Sequence, residues 1–567
     1  MPTITLNRKV FEKLVGKRLK DEQLKDRISM LGTDLESLTS EEIHVEIFPN
    51  RPDLLSEQGF ARAFASFIGV KPGLATFTVH TSRQSKYEVI IDASVASVRP
   101  YTVCAVVKNL KLTDEAIREI IQIQEKLHVT YCRNRKKGAI GIYPMEKIHF
   151  PITYFAADPK SISFRPLEAS CAMQAHTILT NHPTGKEYGS LLEGEKNFPF
   201  FRDAKGNILS MPPIINSHEV GKVTTATTDV FIECSGFDYQ VLSVCLNMVV
   251  TALADLGGDI YGVLLVSSDT PKKKSLSKSS KSSSTPVANP SYPLISPSLE
   301  PSRMLLDSAY VNKRLGLNLT VNQQHELLAR MGFGRVGNDV LIPAYRADIL
   351  HQVDLVEDIA IAYGYEHFTE EIPKVATIGE ETTLAKLSRI IASLLTGLGF
   401  QELYTYSLTN KQALTSIGES PIELANSISE EYDALRSTLI SSLLSTLKQN
   451  RNHEYPQRVF DIGTVFHKDA SESTGIKETT RLGVALCGEL ADFTRIKQVL
   501  DYLFTNLDVL YTIKESSHPT MIPGRIGAVT FSFTDTEKKQ GIIGEIHPQT
   551  LQDYGLEYPV ALFEIEL

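Results

Sequence analysis

From Thr270 to Pro301 the chain reads TPKKKSLSKSSKSSSTPVANPSYPLISPSLEP, a run dominated by Lys, Ser and Pro. Such a stretch carries too little apolar surface to offset the entropy of ordering it. It cannot order itself inside a core, so in this chain of 567 residues it is expected to lie between folded parts. At ~100–200 residues per domain, about three to five domains are expected. Residues 269–301 read as a flexible insertion at a domain boundary. Their basic run, Lys272–Lys281, could touch RNA or simply stay solvated.

The flanking parts are rich enough to fold, with 42% hydrophobic and 22% charged residues overall. A net charge of −9 argues against an electrostatic grip on nucleic acid over the whole surface. It leaves room for a local basic patch or a partner subunit. The six cysteines show no C-x-x-C pair and read as reduced thiols. The first residues lack the apolar run of a signal peptide. The longest apolar stretch, Leu242–Leu256, is too short and too interrupted to span a bilayer. A cytoplasmic protein without membrane contact is expected.

Alternating and helical periodicities mix along the chain, which predicts an α+β class. Residues 1–80 hold a strand, a helix and then HVEIFPNRPDLLSEQGFARA, a strand running through a Pro-Asn-Arg-Pro-Asp turn into a helix. Residues 85–268 hold the strands KYEVIIDASV and YTVCAVVKNL, the amphipathic helix DEAIREIIQIQEKLH, and an apolar helix closed by Gly-Gly. The stretch MPPIINSHEVGKVTTATTDVFIECSG reads as mostly extended. Residues 302–372 give two short helices, a strand DVLIPAY and an acidic helix. Residues 378–567 give an amphipathic helix at Thr382–Leu398 and the strands YTYSL, RVFDIGTVF, RLGVALCG, AVTFSFTD, GIIGEI and ALFEIEL. These suggest an antiparallel sheet with helices packed against it.

Within the acidic helix, Asp354, Glu357 and Asp358 stand at i, i+3 and i+4 and share one face, with Asp348 just upstream. Four such carboxylates repel unless a cation relieves them. Mg²⁺ takes oxygen ligands and would suit. Equally, acids at a helix start favour its dipole, and Arg346 offers an ion-pair partner.

The segment Ile342–Tyr365, IPAYRADILHQVDLVEDIAIAYGY, resembles the B5 module of phenylalanyl-tRNA synthetase β subunits. The resemblance extends over most of the chain. VEIFPNRPDLLSEQGFARA is similar to that family's N-terminal signature. QEKLHVTYCRNRKKGAIGIY and MPPIINS resemble its B3/B4 module in the archaeal and eukaryotic form. VFDIGTVF resembles its catalytic-like C-terminal domain. The resemblance implies an editing domain at 85–268, a B5-like domain at 302–372 and a class II synthetase-like domain at 378–567. It further implies Mg²⁺ at Asp348, Asp354, Glu357 and Asp358, an α subunit as partner in an α2β2 heterotetramer, and tRNA(Phe) as substrate.

The C-terminal domain lacks the F-R-x-E and G-x-G-x-x-R arginines with which a class II synthetase grips ATP. The arginine in ALRSTL, Arg436, has no acid two residues later. Adenylation is therefore expected in the α subunit. This chain is expected to scaffold it and to hydrolyse tyrosyl-tRNA(Phe). An apolar pocket rejects an isostere with one added hydroxyl by only ~10², so a second, hydrolytic site is needed. In the family that site lies in B3/B4. Ser210, Asn216 and Glu233 match positions that line it, with Ser235 on the same strand face as Glu233. Gln124, His128 and Arg135 match the helix and loop across it. Asn216 or Glu233 could bind the tyrosine hydroxyl; Arg135 and Lys222 could contact the tRNA end. Each also has a plain structural reading: Asn216 as a turn residue, His128 as a satisfied core histidine, Gln124 as a helix stabiliser. Two other functions stay open. One is a free-standing editing hydrolase. The other is a non-enzymatic tRNA- or protein-binding paralogue.

Overall fold

The structure is a computed structural model that describes residues 2–81, 86–268, 290–372, 378–533 and 538–567. It divides into two compact units, Met1–Glu371 and Ile372–Leu567. The basic Lys/Ser run lies outside the described residues. The tail of the stretch 269–301 does not behave as a linker: Leu294–Ser296 is a strand paired antiparallel with Asp259–Ser267. Among the described residues, no helix is long and apolar enough to cross a membrane.

The first unit opens with a three-stranded antiparallel sheet of Thr3–Asn7, Glu42–Glu46 and Asp34–Leu38. Strand alternation turns Ile4, Leu6, Ile43 and Val45 inward. The helix Arg8–Val15 starts where the Asn7 side chain accepts from the N–H groups of Lys9 and Val10. It ends at Gly16, in the left-handed region at φ 78°. Its Phe11 packs on Phe60 and Phe64 of the helix Glu57–Phe67.

Glu57 is buried in this packing and accepts a 2.7 Å hydrogen bond from the Asn7 N–H. Burial pushes its carboxyl up to about 8, and Glu119, itself raised to about 7 by burial, adds to the shift. Both folded values exceed that of an unfolded carboxylate, so the native state holds protons that the unfolded chain releases. The associated stability is complete below about pH 4 and is lost as pH rises towards about 8. Glu57→Gln is expected to flatten this slope and to stabilise the chain above about pH 8 by a few kcal/mol. Urea titrations of both proteins at mildly acidic and mildly alkaline pH check it.

A large sheet follows in the same unit. Its main path runs Ile215–Asn216, Ile208–Met211, Phe198–Arg202, Ile152–Ala157, Glu88–Ile91, Asp259–Ser267, Tyr101–Lys108, Val230–Gly236 and Gly138–Pro144. Its last three strands split their side chains between two cores. Val103, Ala105, Ile140, Ile142, Ile232 and Cys234 face the helices Asp114–Val129 and Tyr239–Asp255. Cys104, Val106, Tyr143 and Phe231 face the other core. Glu233 and Ser235 fall on the Phe231 side by the same alternation. The stretch 212–229 is not mostly extended: after the short strand Ile215–Asn216 it loops until Val230.

A smaller sheet of Ser302–Leu305, Asp339–Ile342 and Gly334–Val336 completes the unit, with helices Ser308–Leu315, Val321–Arg330 and Gln352–Tyr363. The strand predicted as DVLIPAY stops at Ile342, where Pro343 removes a donor.

The second unit is a seven-stranded sheet in the order Gln401–Leu403, Gln457–Lys468, Ile476–Cys487, Val560–Glu566, Lys539–Ile546, Met521–Phe531 and Tyr511–Glu515. All its pairs are antiparallel except the first, which is parallel. Alternate residues bury against Thr383–Gly397 and Phe493–Asn506 on one face, and against Ile440–Gln449 on the other. The predicted strand YTYSL does not form. Tyr404 and Tyr406 stand 97% and 77% exposed between the short strands Gln401–Leu403 and Leu408–Thr409.

Candidate active site

The strand Val230–Gly236 sits between Tyr101–Lys108 and Gly138–Pro144, and this register sets Glu233 opposite Cys104 on one side and Gly141 on the other. Gly141 makes room for the carboxyl. A Cβ there would come within 2.2 Å of the Tyr143 hydroxyl and 2.5 Å of Glu233 Oε1. The Tyr143 hydroxyl stands 3.2 Å from Glu233 Oε1 and 3.3 Å from Asn216 Oδ1, and can donate to either. Glu233 Oε2 and the neighbouring Ser210 Oγ are buried without a hydrogen-bond partner. Burial pushes the Glu233 carboxyl up to about 8, against the opposing pull of the Arg99 guanidinium. At neutral pH it is mostly protonated, and can donate as well as accept.

These groups border a cavity of about 520 Å³ in the first unit. Ser210 and Asn216 reach it from the hairpin around Met211, where they are cross-strand partners. Gln124 and His128 reach it from the helix Asp114–Val129 and do a structural job as well. Gly138–Pro144 is the last strand of the sheet, so the outward backbone groups of Ile140 need partners from outside it. Gln124 Nε2 donates to the Ile140 carbonyl at 2.9 Å, and His128 Nε2 accepts from its N–H at 2.9 Å. This puts the ring proton on Nδ1, 3.4 Å from Glu125 Oε1. Burial holds the ring neutral, below the ordinary histidine range.

Arg135 also borders the cavity, in the left-handed region at φ 62°. It donates to the carbonyls of Pro213 and Ile214, at 3.2 and 2.9 Å, and stacks over the Tyr188 ring. Its guanidinium thus clasps the hairpin that carries Asn216. Lys222 is exposed at the rim. Ser235 does not border the cavity. Its hydroxyl and carbonyl accept from Arg99, at 3.3 and 2.6 Å, one residue pair further along the strand. Seven of the eight residues picked from sequence thus line one cavity, and Ser235 supports it from beneath. Sequence reading missed Tyr143 and Arg99, because only the register between distant strands places them.

The four acids at 348–358 do not converge. Asp348 receives a bidentate fork from Arg346, at 2.8 and 2.7 Å, and Asp358 a third bond from the same guanidinium at 2.7 Å. Asp354 Oδ2 accepts from the N–H groups of Leu350 and His351 and caps the helix. Glu357 is exposed. Among the described residues, no group of three or more His, Cys, Asp or Glu is placed to hold a metal ion. Three of the four carboxylates accept from protein donors and the four do not converge, so this arrangement does not by itself form a Mg²⁺ ligand set.

A multidomain α+β chain with a cavity beside its large sheet falls, by comparison with known proteins, among the aminoacyl-tRNA synthetases. Three family models match: a "Phe-tRNA synthetase beta subunit B1 domain" over residues 1–70, a "tRNA synthetase B5 domain" over 304–365, and a "Phenylalanyl tRNA synthetase beta chain CLM domain" over 369–567. Proteins called phenylalanine–tRNA ligase beta subunit from Thermococcus sibiricus and Pyrococcus abyssi are each 36% identical over 100% of this chain, and over 98% and 99% of their own lengths. A crystal structure of an N-terminal fragment of the phenylalanyl-tRNA synthetase β subunit from Pyrococcus horikoshii matches 64% of this chain and 99% of its own. Its TM-score is 0.57, at 33% identity. The chain belongs to the phenylalanyl-tRNA synthetase β-subunit family.

Proposed function

We propose that this chain is the β subunit of a cytoplasmic phenylalanine–tRNA ligase, paired with an α subunit as an α2β2 heterotetramer that joins phenylalanine to tRNA(Phe) with ATP. The observation that carries the proposal is identity over the full length to chains of that name. Adenylation belongs to the α subunit. In support, Arg436 is buried and spends its donors on the Thr464 carbonyl and the Thr405 hydroxyl, leaving little for a phosphate. Exposed Leu384, Ile390, Tyr404 and Tyr406 offer apolar surface for a partner.

This chain's own chemistry is hydrolysis of tyrosyl-tRNA(Phe) in the cavity around Glu233 and Asn216. Its volume suits an aminoacyl group, and unpartnered Glu233 Oε2 offers a hydrogen bond to a phenol. A water oxygen attacks the ester carbonyl carbon, and the bond from that carbon to the ribose oxygen breaks. One water proton ends on the ribose oxygen and the other goes to solvent. His128 is a poor base for this step, since its Nε2 already accepts from Ile140. The tRNA's own neighbouring hydroxyl is the better aid to the water.

Co-expression with the α chain tests the assembly. The pair is expected to form phenylalanyl-tRNA with ATP, and this chain alone is not. Adenylate formation by the isolated chain would overturn the division of labour.

A further inference from the structure

Tyr143 is fully buried, yet its hydroxyl sits between the two polar groups that carry the proposed editing site. A phenol has one proton to donate. Here that proton faces two acceptors, Glu233 Oε1 at 3.2 Å and Asn216 Oδ1 at 3.3 Å. They come from two different elements: the strand Val230–Gly236, next to the edge of the sheet, and the hairpin after Met211. Tyr143 itself lies on the edge strand, opposite Phe231. Among the described residues, its hydroxyl is thus the one group within hydrogen-bond reach of both. With Oε1 engaged, the carboxyl plane is fixed and Oε2 is left without a protein partner.

We propose that Tyr143 is a positioning residue that sets the selectivity of this cavity for tyrosyl over phenylalanyl esters, by holding Glu233 and Asn216 in one orientation. The inference rests on the editing reading above. Selectivity for a hydroxyl depends on fixed polar groups that are left unpaired by the analogue lacking it. Without the Tyr143 hydroxyl, the carboxyl and amide rotate and find other partners, and both esters look more alike to the site.

The charged and titratable groups around Glu233 come from several elements. They are Arg99 before the strand Tyr101–Lys108, Cys104 on it, Tyr154 on Ile152–Ala157, and Tyr143 on the edge strand. Of these, Tyr143 donates directly to the carboxyl, and this bond favours the ionised form. Its removal should therefore move the Glu233 titration upward from about 8.

The test is Tyr143→Phe in the full chain, assayed for hydrolysis of tyrosyl- and phenylalanyl-tRNA(Phe) across roughly pH 6–9. The expected result is a roughly tenfold loss of tyrosyl-over-phenylalanyl selectivity, with a pH midpoint moved upward. In a Glu233→Gln background the same substitution should cost no further selectivity, because the two residues act as a unit. A residue that only fills space would slow both esters alike and leave the midpoint in place, and that result overturns the inference. Additive losses in the double variant overturn it too. Absence of tyrosyl-tRNA hydrolysis by the parent chain sinks the editing reading and this inference together. Normal parent hydrolysis with unchanged selectivity in Tyr143→Phe sinks this inference alone.

Discussion

Arg346→Ala is expected to destabilise the first unit by about 3–5 kcal/mol, the range found when one partner of a buried ion pair is removed. The guanidinium is 2% exposed and holds two carboxylates, Asp348 and Asp358. It also lies over the Phe333 ring at 4.9 Å. Asp358 is buried, and burial already lifts its carboxyl above the usual range despite Arg346. Without the arginine, the charge of Arg51 is what still opposes the effect of burial, and Asp348 adds to that effect. A second fork of the same form, Arg51 on Asp53 at two distances of 2.9 Å, borders the same cavity as Arg346. Its guanidinium repels Arg346 and attracts Asp348, so it is too committed to take over. The loss should depend on pH. Removing Arg346 takes away a charge that lowers the Asp358 pKa, which burial already raises, so the variant's stability is expected to be retained below about pH 4 and lost as pH rises through the folded value. Urea titrations should show the variant closest to the parent in acid. A loss below about 1 kcal/mol at neutral pH would mean the cluster is wetter than its burial implies.

Glu233→Ala is expected to slow tyrosyl-tRNA hydrolysis by about a hundredfold, as when one fixed polar group of a reaction site is removed. Phenylalanyl-tRNA hydrolysis should change far less, since that ester has no hydroxyl to recognise. Asn216→Ala should act in the same direction and more weakly, because Asn216 is half-buried at the open side of the cavity. Single-turnover deacylation at saturating enzyme separates this from weaker tRNA binding. Equal loss for both esters would move Glu233 from recognition to general support of the fold.

What the sequence shows and what it hides follow from the range of the interactions. The alternation in VFIECSG is local, so the sequence alone puts Glu233 and Ser235 on one face of the strand. That only Glu233 reaches the cavity depends on Arg99, which binds Ser235 from more than a hundred residues upstream. Gln124 and His128 are legible as one helix face at i, i+4. Their role as clips on Ile140 is not, since nothing local marks Gly138–Pro144 as the edge of a sheet. Asp354, Glu357 and Asp358 fall on one helix as expected, with Asp348 before it, but Arg346 takes Asp348 and Asp358 and the helix start takes Asp354. Of the two readings that spacing allowed, the ion pair with Arg346 describes the observed contacts. YTYSL has β-prone residues and no strand to pair with on both sides, so context overrides propensity.

The most direct test of the central claim is deacylation of tyrosyl-tRNA(Phe) by the purified full chain, with phenylalanyl-tRNA(Phe) as the control. The account predicts that the tyrosyl ester is cleaved, that the phenylalanyl ester is largely spared, and that Glu233→Ala abolishes the difference. A parent chain that leaves both esters intact, alone and in complex with its α partner, would contradict it.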